Sequence, residues 1–174
     1  MTTHRLVALG LAVGLATAPL RAQAPAPAAG PATIELRGPA GQQRILGLDD
    51  LAKLAHREVA ASAHDVKGQF SGVALADVLA LVGAPAGDAL RGPALASYVL
   101  VEAADGYRVT FALAETNAGF TDKLILLADR KDGAPLNAHD GPFQLIVPDE
   151  KRPARWVRQV TRISVVLLPP PSRP

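Results

Sequence analysis

Cations crowd the connection between two apolar runs near the C-terminus: Lys151, Arg152, Arg155, Arg158 and Arg162 surround Trp156, the only tryptophan of the chain. A guanidinium is a planar fork of donors that matches phosphate, sulfate or carboxylate oxygens in pairs. Arg152 and Arg155 therefore read as a clamp for an anion, with Lys151 adding charge and Trp156 anchoring the loop. The competing reading is a surface loop whose arginines pair with Asp149 and Glu150 while Trp156 plugs the core.

His64, beside Asp65, is the other candidate. A metal centre needs three or four convergent ligands, and His56, His64 and His139 are scattered along the chain. As a general base His64 would need a nucleophile or a bound water in reach. The simpler role is a turn residue capping local backbone. Ser62, Ser71, Ser97 and Ser164 lie in no G-x-S-x-G elbow, and Gly83, Gly87 and Gly92 are too widely spaced for a G-x-G-x-x-G phosphate loop. There is no cysteine and the one methionine is the initiator, so thiolate and thioether chemistry is excluded.

The elements that must position these residues follow from periodicity. Leu145, Ile146 and Val147, stopped by Pro148, and the run 163–168 read as two strands flanking the basic loop. Upstream, 33–37 and 42–46 flank a Gly-Pro-Ala-Gly turn as a hairpin. Residues 48–56 have helical spacing with Asp49 and Asp50 in the first turn, and 59–63 alternate as a strand. Phe70, Ser71 and Gly72 lead into a helix over 73–82 ended by Gly83, and 87–96 read as a loop. The clearest local signal is 98–103 and 107–112 around Asp105-Gly106, a hairpin on which Tyr107, Val109 and Phe111 share one face and Glu102 can pair with Arg108. A helical turn at 113–117, a strand at 124–128 and turns at Asp132-Gly133 and His139-Asp140-Gly141 complete the chain. Strands outnumber helices without alternating regularly, so the fold class is α+β: a mixed, mainly antiparallel sheet system with two or three short helices.

The 174 residues suit one domain. Residues 1–24 combine a positive start, an apolar run over 6–18 and the A-x-A site Ala22-Gln23-Ala24, the pattern of a signal peptide cleaved near Ala24. That run is shorter than the roughly 20 residues a spanning helix needs, so no membrane span is expected in the mature chain, which would be periplasmic or secreted. A Pro/Ala-rich linker at 25–32, a domain at 33–168 and a Pro-rich tail at 169–174 follow. Losing Arg5 and Arg21 takes the 18 Lys and Arg to 16, equal to the 16 Asp and Glu. A neutral chain with its charge in one loop argues against nucleic acid, whose binding draws on many phosphate contacts.

Several pieces in order resemble the molybdopterin-binding domain of the sulfite oxidase family. They are Phe70-Ser71-Gly72-Val73-Ala74-Leu75, similar to its F-x-G-x-x-L segment; Ala104 to Tyr107; Asp132 to Leu136; Gly141 to Pro148; and Arg152-Pro153-Ala154-Arg155-Trp156-Val157, similar to its R-x-V-K-W segment. The resemblance implies a mixed α+β fold and assigns Arg152 and Arg155 to holding the pterin phosphate and a substrate anion. Molybdopterin is a cofactor on that ground alone. The family's metal is bound by a cysteine before F-x-G, where 60–69 here offers His64 and Asp65 and no thiol; the leader has His4-Arg5 in place of the twin arginines used to export folded cofactor enzymes.

The expected protein is an exported, non-catalytic member with no cofactor, binding a small anion or an acidic protein segment at the basic loop. Two other readings stay open: a molybdenum- or pterin-dependent oxidoreductase with an atypical ligand, and an interaction module in periplasmic signalling.

Overall fold

The computed structural model describes residues 32–63 and 66–168. The expected signal peptide, nearly all of the linker, the Pro-rich tail, and His64 with Asp65 lie outside the described residues.

Ten strands form two five-stranded sheets, alternating in burial on β1, β5 and β6 and buried on both faces on β9 and most of β7. In the first sheet, β1 (Thr33–Arg37) and β2 (Gln43–Gly47) form the predicted hairpin, and β5 (Tyr98–Ala103) and β6 (Arg108–Ala112) form another around Asp105-Gly106. Between them runs β10 (Val160–Val166), parallel to β1 and antiparallel to β5. The second sheet is antiparallel. There β4 (Val66–Ala74) joins the edge strand β3 (His56–Ala63) to β7 (Leu126–Lys131), whose far side pairs with β9 (Gln144–Ile146) at one end and with β8 (Ala134–Pro135) at the other.

One core serves both sheets. Ile34 and Leu36 on β1, Val99 and Val101 on β5, Phe70 on β4 and Leu145 on β9 are all fully buried in it. Each such side chain stabilises the fold by about 1.5–3 kcal/mol relative to exposure. The helix α2 (Leu75–Ala80) buries Leu75, Val78 and Leu79 and is stopped by Gly83, whose φ of 71° a Cβ would oppose. The mixed, mainly antiparallel α+β architecture is the one expected.

Two helices are shorter than their periodicity suggests. The segment 48–56 gives one turn, α1 (Leu48–Leu51), because His56 and its successors enter an eight-residue ladder against β4. Phe70 to Ala74 is strand and not helix entry. Its apolar spacing comes from burial in a sheet with neighbours on both sides, a pattern that periodicity cannot separate from a buried helix. Near Asp105-Gly106, Glu102 does lie opposite Arg108, yet its carboxylate accepts from Arg162 (3.3 Å).

Candidate functional site

The two strands that flank the basic loop belong to different sheets. The connection from β9 to β10 therefore crosses between sheets, and backbone bonds tether it where it leaves and where it arrives. Leu145 N–H donates to Val157 (2.8 Å), and the Trp156 indole N–H donates to the Val147 carbonyl (2.9 Å). Trp156 is 5% exposed and meets Phe70 edge to face, centroids 5.7 Å apart. Pro153 sets a 3-10 turn, Pro153–Arg155, just before it.

Arg155 is half-buried. Its guanidinium donates to Glu150 through Nε (2.7 Å) and through a second, shorter contact from Nη2, to Glu115 through Nη1 (3.1 Å), and lies 4.3 Å from the Phe111 ring centre. Burial opposes its charge, but the two carboxylates more than compensate and raise its pKa. Both faces of the fork are thus occupied by the protein's own acids. Lys151 and Arg152 are exposed and line none of the described cavities. The predicted clamp is not assembled: of its residues Trp156 alone enters the cavity described next, and the arginine pairing of the competing reading is realised for Arg155.

That cavity is a cleft of about 600 Å³, with Trp156 and Phe70 at its base. Sheet strands supply Lys67 from β4, Lys131 from β7 and Gln144 from β9; the connection to β10 supplies Arg158. Phe70 and Lys131 are cross-strand partners, and the Lys131 ammonium stands 5.6 Å from the Phe70 ring centre. Among the described residues none of Lys67, Lys131 and Arg158 has a carboxylate within salt-bridge distance, whereas Arg155 and Arg162 each have two. An unpaired cation beside an aromatic wall is suited to an anion carried on an apolar body.

The cleft is also lined by His139, Asp140, Asp105 and Tyr107. Arg158 Nη1 lies 2.7 Å from His139 Nε2 and 3.3 Å from its Nδ1. His139 Nδ1 lies 2.9 Å from Asp140, whose carboxylate also accepts from Asn137. Asp105 accepts from the Tyr107 N–H (2.9 Å). The acids of the cleft are thereby turned to their own neighbours. Tyr107 does not share the core face of Val109 and Phe111 as its spacing suggested. It is 49% exposed, and its hydroxyl donates to the Ala154 carbonyl (2.7 Å), holding the cleft wall.

Sequence reading missed Lys67, Lys131 and Gln144, which lie far from the cationic loop and from one another in the chain. His64 lies outside the described residues, two positions before Val66, which lines the cleft. His56, the nearest described histidine, approaches the buried Asp129 (3.5 Å). Among the described residues no group of three His, Cys, Asp or Glu is placed to hold a metal, and no helix is long and apolar enough to cross a membrane.

The chain belongs to the oxidoreductase molybdopterin binding domain family, whose model matches residues 23–173. Among solved structures it is similar to the sulfane dehydrogenase SoxCD from Paracoccus pantotrophus, with a TM-score of 0.59 and 18% identity over 77% of this chain. The match spans 38% of that chain, so the likeness is one of fold. No curated protein matches the sequence significantly.

The donor chemistry does not fit the metal of that family. A thiolate-held molybdenum needs a cysteine, and the sequence has none. Of the two arginines the resemblance assigns to the pterin phosphate and substrate anion, Arg155 is paired with Glu150 and Glu115, and Arg152 is exposed and does not line the cleft.

Proposed function

We propose that this protein is an exported, non-catalytic member of the molybdopterin-binding domain family that binds a small anion in the Trp156 cleft, at Lys67, Lys131 and Arg158. The observation that carries the reading is the contrast between those three cations, which have no carboxylate partner among the described residues, and Arg155, which is paired with Glu150 and Glu115 and does not line the cleft. The missing thiolate supports a binding role over turnover, and the n-region, apolar run and A-x-A site support export.

The test is stabilisation by ligand, since whatever binds the native state alone raises its melting temperature. Phosphate or sulfate should raise the Tm of the parent at constant ionic strength, and Lys131→Gln with Arg158→Gln should remove the rise. Arg152→Ala should keep it. An equal rise in the double variant and the parent, or no rise in the parent, would refute the cleft as the anion site.

A further inference from the structure

The first sheet has an outer face as well as the face that meets the core. On β1, β5, β6 and β10 the residues that alternate with the buried ones are half-buried or exposed, and so is Ile45 on β2, at 60% exposure. No described element covers that face.

One row of cross-strand partners runs over it: Ile45, Glu35, Arg162, Glu102 and Arg108, on β2, β1, β10, β5 and β6 in turn. Partners in register project to the same side of a sheet. From β1 to β6 their charges alternate, minus, plus, minus, plus. Arg162 is paired with Glu35 (2.8 Å) and with Glu102 (3.3 Å). Arg108, at the end of the row, has no carboxylate within salt-bridge distance among the described residues, although Glu102 is its cross-strand partner.

An alternating row of four is its own complement. A two-fold axis parallel to the strands, midway between β10 and β5, turns a second copy face down so that β10 of each lies over β5 of the other and β1 over β6. Arg162 then stands over Glu102 of the second copy, and the unpaired Arg108 over its Glu35. An axis along β10 itself, or across the strands at this row, would set like charge on like. Two registers further along, the same axis lays Val166 over Tyr98, so an apolar contact flanks the charged row. A two-fold along the strands also carries a twisted sheet onto one of the same twist, and the two saddles nest as aligned sheets do.

We propose that this face is a self-association surface whose occupant is a second copy of the chain, docked face to face about that axis. The proposal stands independently of the anion site. Five strands of five to seven residues make a face roughly 20 Å square. Two such faces bury on the order of 1,000 Å², the lower end of specific interfaces, so the dimer is weak and reversible.

Sedimentation velocity of the intact protein over a range of concentrations, at low and high salt, tests this. Expected is a monomer–dimer equilibrium with a Kd on the order of 10–100 µM, weakened by salt. Arg108→Glu and Glu35→Lys should each weaken dimerisation about tenfold or more, and an equal mixture of the two should restore it, because each variant then meets opposite charge on the other. Leu100→Lys, whose two copies meet near the axis, should also abolish the dimer and serves where far-UV circular dichroism shows Glu35→Lys to be unfolded. A monomer at every concentration would overturn the proposal and leave the face to solvent or to a different partner. A dimer that Arg108→Glu and Leu100→Lys leave as tight as the parent's would overturn it too, as would a mixture of folded charge variants that stays monomeric.

Discussion

Arg155 shows how far a residue's chemistry depends on partners the local sequence does not reveal. Its neighbour Glu150 was in view, but Glu115 lies 40 positions away and Phe111 is brought beneath the guanidinium only by the β5–β6 hairpin. The fork ties the β9–β10 connection to β6 and the turn that follows it. Removing it would leave Glu115 and Glu150 without their shared counter-charge. Arg155→Ala should therefore destabilise the protein by about 2 kcal/mol, the range for bonds to partly buried charged groups. Arg152→Ala, at an exposed position, should change stability by less than about 0.5 kcal/mol. Denaturant unfolding of both variants checks the contrast. Trp156 was legible as a core anchor because no other tryptophan competes for the role, whereas the cationic density around it pointed to Arg152 and Arg155, which do not line the cleft. Linear crowding of charge is a weak guide when the cations that converge come from three separate strands and loops.

At the level of elements, Gly72 connects a motif visible in the sequence to its physical reason. β4 and β7 slip register between Ser71 and Gly72, and a Cβ at Gly72 would meet the Leu127 carbonyl oxygen and come within 2.5 Å of the Ala128 Cα. The glycine of the F-x-G segment is thus required by a close backbone approach at a β-bulge. Gly72→Ala should destabilise the domain by about 3 kcal/mol or prevent its folding, because the neighbour that must move is main chain. Thermal melting with far-UV circular dichroism reads this directly, and a melting temperature equal to the parent's would show the approach to be relaxed. The β1–β2 and β5–β6 hairpins were legible because a turn signal sits between two alternating runs. The length of α1 and the start of α2 were not, because long-range ladders decide them: His56 and Phe70 are claimed by β4 and β7, partners that no local window contains.

Across the whole molecule, the first sheet is crossed by a chain of ion pairs that runs from Arg37 through Glu35 and Arg162 to Glu102, joining β1, β10 and β5. Arg37 first, and then Arg162, hold the Glu35 carboxyl below its usual 4.5. Asp50 is depressed below its usual 3.8, chiefly by the Gly47 N–H at the start of α1. A depressed carboxyl binds its proton less readily folded than unfolded, so its contribution is present above the ordinary value and is lost as pH falls through the folded one. Stability should therefore decline between about pH 5 and about pH 3, and Glu35→Gln should flatten part of that decline. Denaturant midpoints measured across this interval decide it; a parallel profile for the variant would deny Glu35 a role. The same sheet has β10, the last strand in the chain, at its centre, with Arg162 bonded to Glu35 across 127 positions. Hairpins at either flank can close early, but nothing joins them until this strand is available. Folding of the domain must await the residues of β10, which makes it a slow, non-local folder whose partly synthesised chain stays open to proteases and chaperones.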